Sequence, residues 1–290
     1  VQHLETYDLD FLKIMDDNGY PRSGLTSGIV ERIEDLTQLP VLRGDEDGFG
    51  KQLELIVELA RRYRGQVLLA TTIFNPWTML RKLTVPATGA QRPPTYSTSG
   101  DNRDATLSRL LQDAPAAVER ALSVIAESLA NYVRQCLTAG ADGVFLSVRD
   151  DNVDTPANGE GTYDRYVKPG DLQILAAAEG ARCNLLHACG RPLDFGRFAN
   201  YPVHALSWAD RTVGPAIAAV AGSMRPAICA GVDNIGTLTT GSPADCALQV
   251  EDAMDQAGKH PLIVAPGCTY DPQAVRAENL HAIRRAVEGA

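Results

Sequence analysis

The chain has 290 residues and a formal charge of −9, so it lacks the basic face that general nucleic-acid binding requires. Hydrophobic residues make up 44% and charged residues 22%, the balance of a soluble globular protein with one large core, and no apolar run approaches the ~20 residues of a membrane span. Six cysteines without dense spacing fit thiols kept reduced in a cytoplasmic protein better than a disulfide scaffold. No shift of composition marks a linker, and residues 1–290 read as a single domain. Its first residue is Val1, which is compatible with truncation at the N-terminus.

In chain order, Tyr7 to Met15 is expected to be a first strand, ending in the turn cluster Asp16-Asp17-Asn18-Gly19. The acidic turn from Gly44 to Gly48 is assigned no role. Leu53, Ile56, Val57, Leu59 and Ala60 recur at helical spacing and predict an amphipathic helix over residues 50–64. Val67 to Ile73 is the next strand and empties into the aromatic-rich stretch Phe74-Asn75-Pro76-Trp77. Residues 86–103, rich in Pro, Gly and Ser, read as a long loop, either a lid over a site or a surface excursion. Two helices meeting at Pro115 are expected across Asp104 to Thr138, because proline suits a first helical turn.

From residue 140 strands and helices alternate. Strands are predicted at Val144 to Leu146, Cys183 to His187, Ala205 to Trp208, Ala227 to Val232 and Leu262 to Ala265. Helices are predicted over Asp171 to Glu179, Pro215 to Ala221, 243–257 and 271–288. This alternation is the pattern of parallel βα units. Seven strands are counted, and an eighth, before Val1 or within residues 23–42, would close a (β/α)8 TIM-type barrel.

In such barrels the active site gathers at the C-terminal ends of the strands. Asp17, Asn75, Asp150, His187, Cys189, Ser207, Asp233 and Cys268 all fall at those ends. In a strand, residues two apart share a face, so His187 and Cys189 present an imidazole and a thiol on the same side. With Cys268 they make three of the four ligands of a tetrahedral zinc, leaving one position open. Cys136, Cys183, Cys229 and Cys246 lie in apolar or helical runs and are expected in the core.

Several stretches together resemble the uroporphyrinogen decarboxylase superfamily, nearly from end to end. They are Tyr7-Asp8-Leu9-Asp10-Phe11-Leu12-Lys13, Ala139-Gly140-Ala141-Asp142, His187-Ala188-Cys189-Gly190, Ala230-Gly231-Val232-Asp233, Val264-Ala265-Pro266-Gly267-Cys268 and Glu278-Asn279-Leu280. The resemblance implies a (β/α)8 barrel with one deep cleft, in one of two branches: porphyrinogen decarboxylases or corrinoid-linked methyltransferases. Decarboxylases carry a histidine at the place of Cys268 and residues that bind no metal at the place of His187-Ala188-Cys189. The pattern here is similar to the zinc-dependent methylcobamide:thiol methyltransferases.

That branch implies zinc on His187, Cys189 and Cys268, with a corrinoid (cobalamin) as co-substrate. The corrinoid would be supplied by a corrinoid protein or as free methylcobalamin, and the methyl acceptor would be a small-molecule thiol. Asp17 falls where the decarboxylases have a pyrrole-binding aspartate and Tyr132 where they have an active-site tyrosine, so both are expected to be catalytic. Ser207 stands where an aspartate is expected, and the decarboxylases' N-terminal arginine segment is absent from these residues. Asn75, Asp150, Ser207 and Asp233 are expected to line the substrate or corrinoid. Asp17, Asp150 or Asp233 would supply a fourth ligand or hydrogen-bond His187. Neither nucleic acid nor membrane is an expected partner, and a homodimer is an allowed assembly. Two rival readings stand beside this one: a metal-free decarboxylase of the same fold, and a non-catalytic corrinoid-binding barrel.

Overall fold

The computed structural model describes residues 2–86 and 102–289, without the side chains of residues 102 and 103. Most of the expected loop at 86–103 lies outside the described residues. In chain order the first elements are α1 (Gln2–Tyr7), β1 (Phe11–Ile14), α2 (Ile33–Leu36), α3 (Asp47–Tyr63), β2 (Leu68–Phe74) and α4 (Pro76–Leu83). Next come α5 (Asn102–Asp113), α6 (Pro115–Ala139), β3 (Gly143–Arg149), a π-helical turn (Tyr163–Val167), α7 (Lys168–Ala177) and β4 (Leu185–Cys189). The series closes with β5 (Ala205–Ser207), α8 (Ile217–Val220), β6 (Ala227–Val232), α9 (Thr237–Thr240), α10 (Pro243–Ala257), β7 (Leu262–Pro266) and α11 (Ala277–Glu288). The protein is thus an α/β fold with seven parallel strands among the described residues. They fall into two compact units, one of residues 11–86 and 102–184, the other of residues 2–10 and 185–289.

In the first unit β1, β2 and β3 pair in parallel, with Ile14 opposite Thr71 and Thr71 opposite Val144. Helix α3 lays Phe49, Gln52, Ile56, Leu59 and Tyr63 into the core at three- and four-residue steps, as an amphipathic helix must. Helix α6 starts at Pro115, where the missing N–H costs nothing, and buries Val118, Leu122, Ile125, Leu129, Val133 and Cys136. It stops at Gly140, whose φ of 111° suits a residue without a Cβ. Each fully buried side chain of this size contributes about 1.5–3 kcal/mol.

In the second unit β4 to β7 also pair in parallel and in chain order. Helix α10 is closed at its start by a capping box, Ser242 with Asp245. Val232, Leu238 and Val250 form a core cluster against Val264, Leu280 and Ile283. Cys136, Cys183, Cys229 and Cys246 are buried, and none of the six cysteines is in a disulfide. Among the described residues no helix is long and apolar enough to cross a membrane.

The first strand is shorter than its sequence suggests. Residues Gln2–Tyr7 are helical, with His3 and Tyr7, one turn apart, meeting edge to face and Tyr7 packing on His281 of α11. Arg284 ion-pairs with Asp8 and Asp10, which sets this acidic stretch outside any strand. Residues 23–42 contain no strand. Their apolar side chains Val30, Leu36, Leu39 and Leu42 are buried at irregular spacing, and their backbone is tied by side chains, as where Leu42 N–H donates to Ser128 and Asn131 donates to the Leu42 carbonyl. The helix expected over Asp171 to Glu179 begins earlier, at Lys168, with Pro169 in its first turn.

Candidate metal centre

Strand β4, Leu-Leu-His-Ala-Cys, turns Leu185, His187 and Cys189 to one face and Leu186 and Ala188 to the other. Parallel register sets His187 directly beside Ser207 of β5, and Ser207 Oγ lies 3.1 Å from the ring Nδ1. The other ring nitrogen, Nε2, lies 3.3 Å from the sulfur of Cys268. That cysteine reaches the site through Gly267, where a Cβ would stand 2.7 Å from the Ala209 Cα, so only a residue without one fits the passage. Asn234, past the end of β6, donates to the Thr269 carbonyl at 2.8 Å and holds the segment after Cys268 in place.

The ligand atoms of His187, Cys189 and Cys268 lie within 4.8 Å of one another. Tetrahedral zinc with its ordinary bond lengths separates such ligand atoms by about 3.5–3.8 Å, so small side-chain adjustments suffice to fit the ion. His187 is buried while both thiols are partly exposed, in a small pocket completed by Gly190, Arg191, Ala209 and Val213. The Cys268 thiol is drawn far below its ordinary range, chiefly by a hydrogen bond from Cys189, with His187 and the Thr269 N–H adding to it against the opposing effect of burial. In the tautomer that donates Nδ1–H to Ser207, Nε2 keeps its lone pair toward Cys268. Metal-binding histidines are commonly oriented in this way by the group on their second nitrogen. One imidazole and two thiols in this arrangement could hold a metal ion, and their donor chemistry suits zinc.

Of the other residues singled out by sequence, Ser207 joins this cluster. Asp233 spends its carboxylate locally, accepting the N–H groups of Ile235 and Gly236 at 3.0 and 3.1 Å. The remaining four lie in the first unit. Asn75 is fully buried and caps α4, its Oδ1 accepting Thr78 N–H at 3.0 Å, with no partner for Nδ2 among the described residues. Asp150 is buried at the end of β3. Asp17 is exposed, and it is Asp16 that meets the buried Tyr132, whose hydroxyl donates to Asp16 Oδ2 at 3.0 Å.

Asn18 donates to the other Asp16 oxygen from its backbone and its side chain, at 3.0 and 3.2 Å. Burial raises the Asp16 pKa above the ordinary carboxylate range, while these hydrogen bonds and Lys82 oppose it. Burial also raises the hydroxyl of Tyr132. The sequence held a signal for Asp16: it continues the alternate set Leu12 and Ile14, whereas Asp17 belongs to the other face. The contact of Ser207 with His187 had no such signal, since it depends on the register of two strands.

The fold is shared with solved structures. A methyltransferase from Methanosarcina mazei matches with a TM-score of 0.72 and 16% identity, over 99% of this chain and 82% of that one. A B12-independent methionine synthase from Shewanella, in complex with selenomethionine, matches with a TM-score of 0.52 and 12% identity, over 82% of this chain and 66% of that one. No curated protein sequence matches. The sequence profile of uroporphyrinogen decarboxylase (URO-D) matches residues 13–290, and the chain therefore belongs to the uroporphyrinogen decarboxylase family.

Proposed function

We propose that this protein is a zinc-dependent methyltransferase, built on a (β/α)8 barrel, that moves a methyl group between a corrinoid and a small thiol. The observation that carries the reading is the His187, Cys189 and Cys268 set, whose ligand atoms converge within 4.8 Å from two strand ends. The structural likeness to a methyltransferase from Methanosarcina mazei supports methyl transfer as the reaction class. The URO-D family supports an enzyme. Zinc held by these three residues would keep a fourth position for the substrate thiol and stabilise its thiolate, the nucleophilic form, at neutral pH.

The chain's own part is to hold that donor set ready. Ser207 orients the imidazole, Gly267 admits Cys268 beside it, and Asn234 fixes the residues that follow. The corrinoid is held by a partner protein or comes free as methylcobalamin. Asp17 and Tyr132, with Asn75, Asp150 and Asp233, are proposed as substrate-side residues. Of these, Tyr132 acts through Asp16.

The test is metal analysis followed by an assay with methylcobalamin and a panel of small thiols. The expected result is one zinc per chain and thioether formation that stops when the metal is stripped. Carbon dioxide released from a porphyrinogen, with every thiol ignored, would replace this reading with the decarboxylase one.

A further inference from the structure

The turn after β5 and the end of β6 are joined by a clasp of two charged side chains. Asp210, 7% exposed, accepts the Gly231 N–H on Oδ1 at 3.0 Å, and Arg211 donates from Nε to the Gly231 carbonyl at 2.9 Å. Asp210 Oδ2 also lies 3.2 Å from Arg211 Nε. The guanidinium continues to α10, donating from Nη2 to the Gln249 carbonyl at 2.8 Å and from Nη1 to Asp252. A planar group with donors in a fixed fork can hold β6 and α10 to its own turn at once, which the point charge of a lysine cannot.

This clasp sits one residue from each support of Cys268. Gly267 packs on Ala209, the neighbour of Asp210, and its N–H donates at 2.9 Å to the carbonyl of Val232, the neighbour of Gly231. His187 instead takes its orientation from Ser207, inside β5. The separation of the imidazole from the Cys268 thiol therefore depends on how firmly the turn after β5 is held to the end of β6. An ion pair this far from water adds little net stability, since both charges are desolvated, so the clasp is better explained by the position it enforces.

We propose that Arg211, with Asp210, is a positioning residue for the metal centre: through Gly231 and Ala209 it holds Gly267 and Cys268 at the distance from His187 that a metal ion needs. The proposal rests on the metal reading of His187, Cys189 and Cys268. Its test reads zinc affinity by chelator competition, and hydrogen exchange at the Gly267 N–H in metal-free protein, on the wild type, Arg211→Met, Arg211→Lys and Ser242→Ala. Ser242→Ala loosens α10 at its capping box and leaves the clasp intact, so it separates lost stability from lost position. Arg211→Met should weaken zinc binding about tenfold and speed the exchange about tenfold. Arg211→Lys, which keeps the charge but not the fork, should fall between it and the wild type, and it carries the test if Arg211→Met does not fold. Ser242→Ala should leave both readouts near the wild type. Wild-type zinc affinity in both Arg211 variants, or a loss as large in Ser242→Ala, would overturn the proposal and leave the metal centre standing. Weakened zinc with unchanged exchange at Gly267 would overturn it too, because the loss would not come through the support of Cys268. A wild-type protein that binds no zinc would overturn the metal reading and this proposal with it.

Discussion

The strand ends of the two units carry different chemistry on similar runs of parallel strands. After β4 and β7 the donors are soft, one imidazole and two thiols, and two of the three come from a single strand only two residues apart. At the ends of β1 and β2 the donors are hard: Asp16 is held by Tyr132 from 116 residues away, and Asn75 is turned to capping a helix. Soft donors converging on one point suit a metal ion. Buried carboxyl and amide groups tied to nearby side chains and backbone suit structure and polar recognition. One strand-end position can therefore serve either purpose, according to the neighbours its register supplies.

The sharpest break of this contrast is at the thiols. Cys268→Ser and Cys189→Ser should each lose most of the metal, since a hydroxyl is a poor replacement for a thiolate on zinc. Atomic absorption on protein purified without chelators would check it, and full metal retention by both variants would move the centre elsewhere. Ser207→Ala leaves the three ligands in place and removes only the group on His187 Nδ1. Zinc affinity should fall by about 10- to 100-fold, measured by chelator competition.

On the other side of the comparison, Asn75→Ala should cost about 1 kcal/mol of stability by removing the cap of α4, and should leave zinc content unchanged. Thermal unfolding with metal analysis of the same samples separates the two effects. The smallest effect is expected at Asp16. Its folded pKa is raised, so the native state keeps this proton to higher pH than the unfolded chain. The stability it lends is therefore present at low pH and lost as pH rises from about 4 through the folded value. Asp16→Asn, which stays uncharged, should remove that decline. Denaturant unfolding of both proteins across this range, with identical slopes, would show that Asp16 carries no shifted proton.

Much of this protein is legible in the local pattern of its residues. Strand β6 runs over Ala227–Val232 as its apolar run predicts, α10 spans the expected residues, and the break between α5 and α6 falls at Pro115. The alternation in Leu185–Cys189 placed His187 and Cys189 on one face, because strand periodicity belongs to the backbone. Only tertiary structure decided that the first strand begins at Phe11 and not at Tyr7: the packing of Tyr7 on His281 and the ion pairs of Asp8 and Asp10 with Arg284 come from residues some 270 positions on. Tertiary structure also supplied Tyr132 as the partner of Asp16 and Ser207 as the partner of His187. Periodicity along one segment says which way a side chain points. What it meets there depends on the register and packing of segments far away in the chain, which single-sequence spacing does not encode.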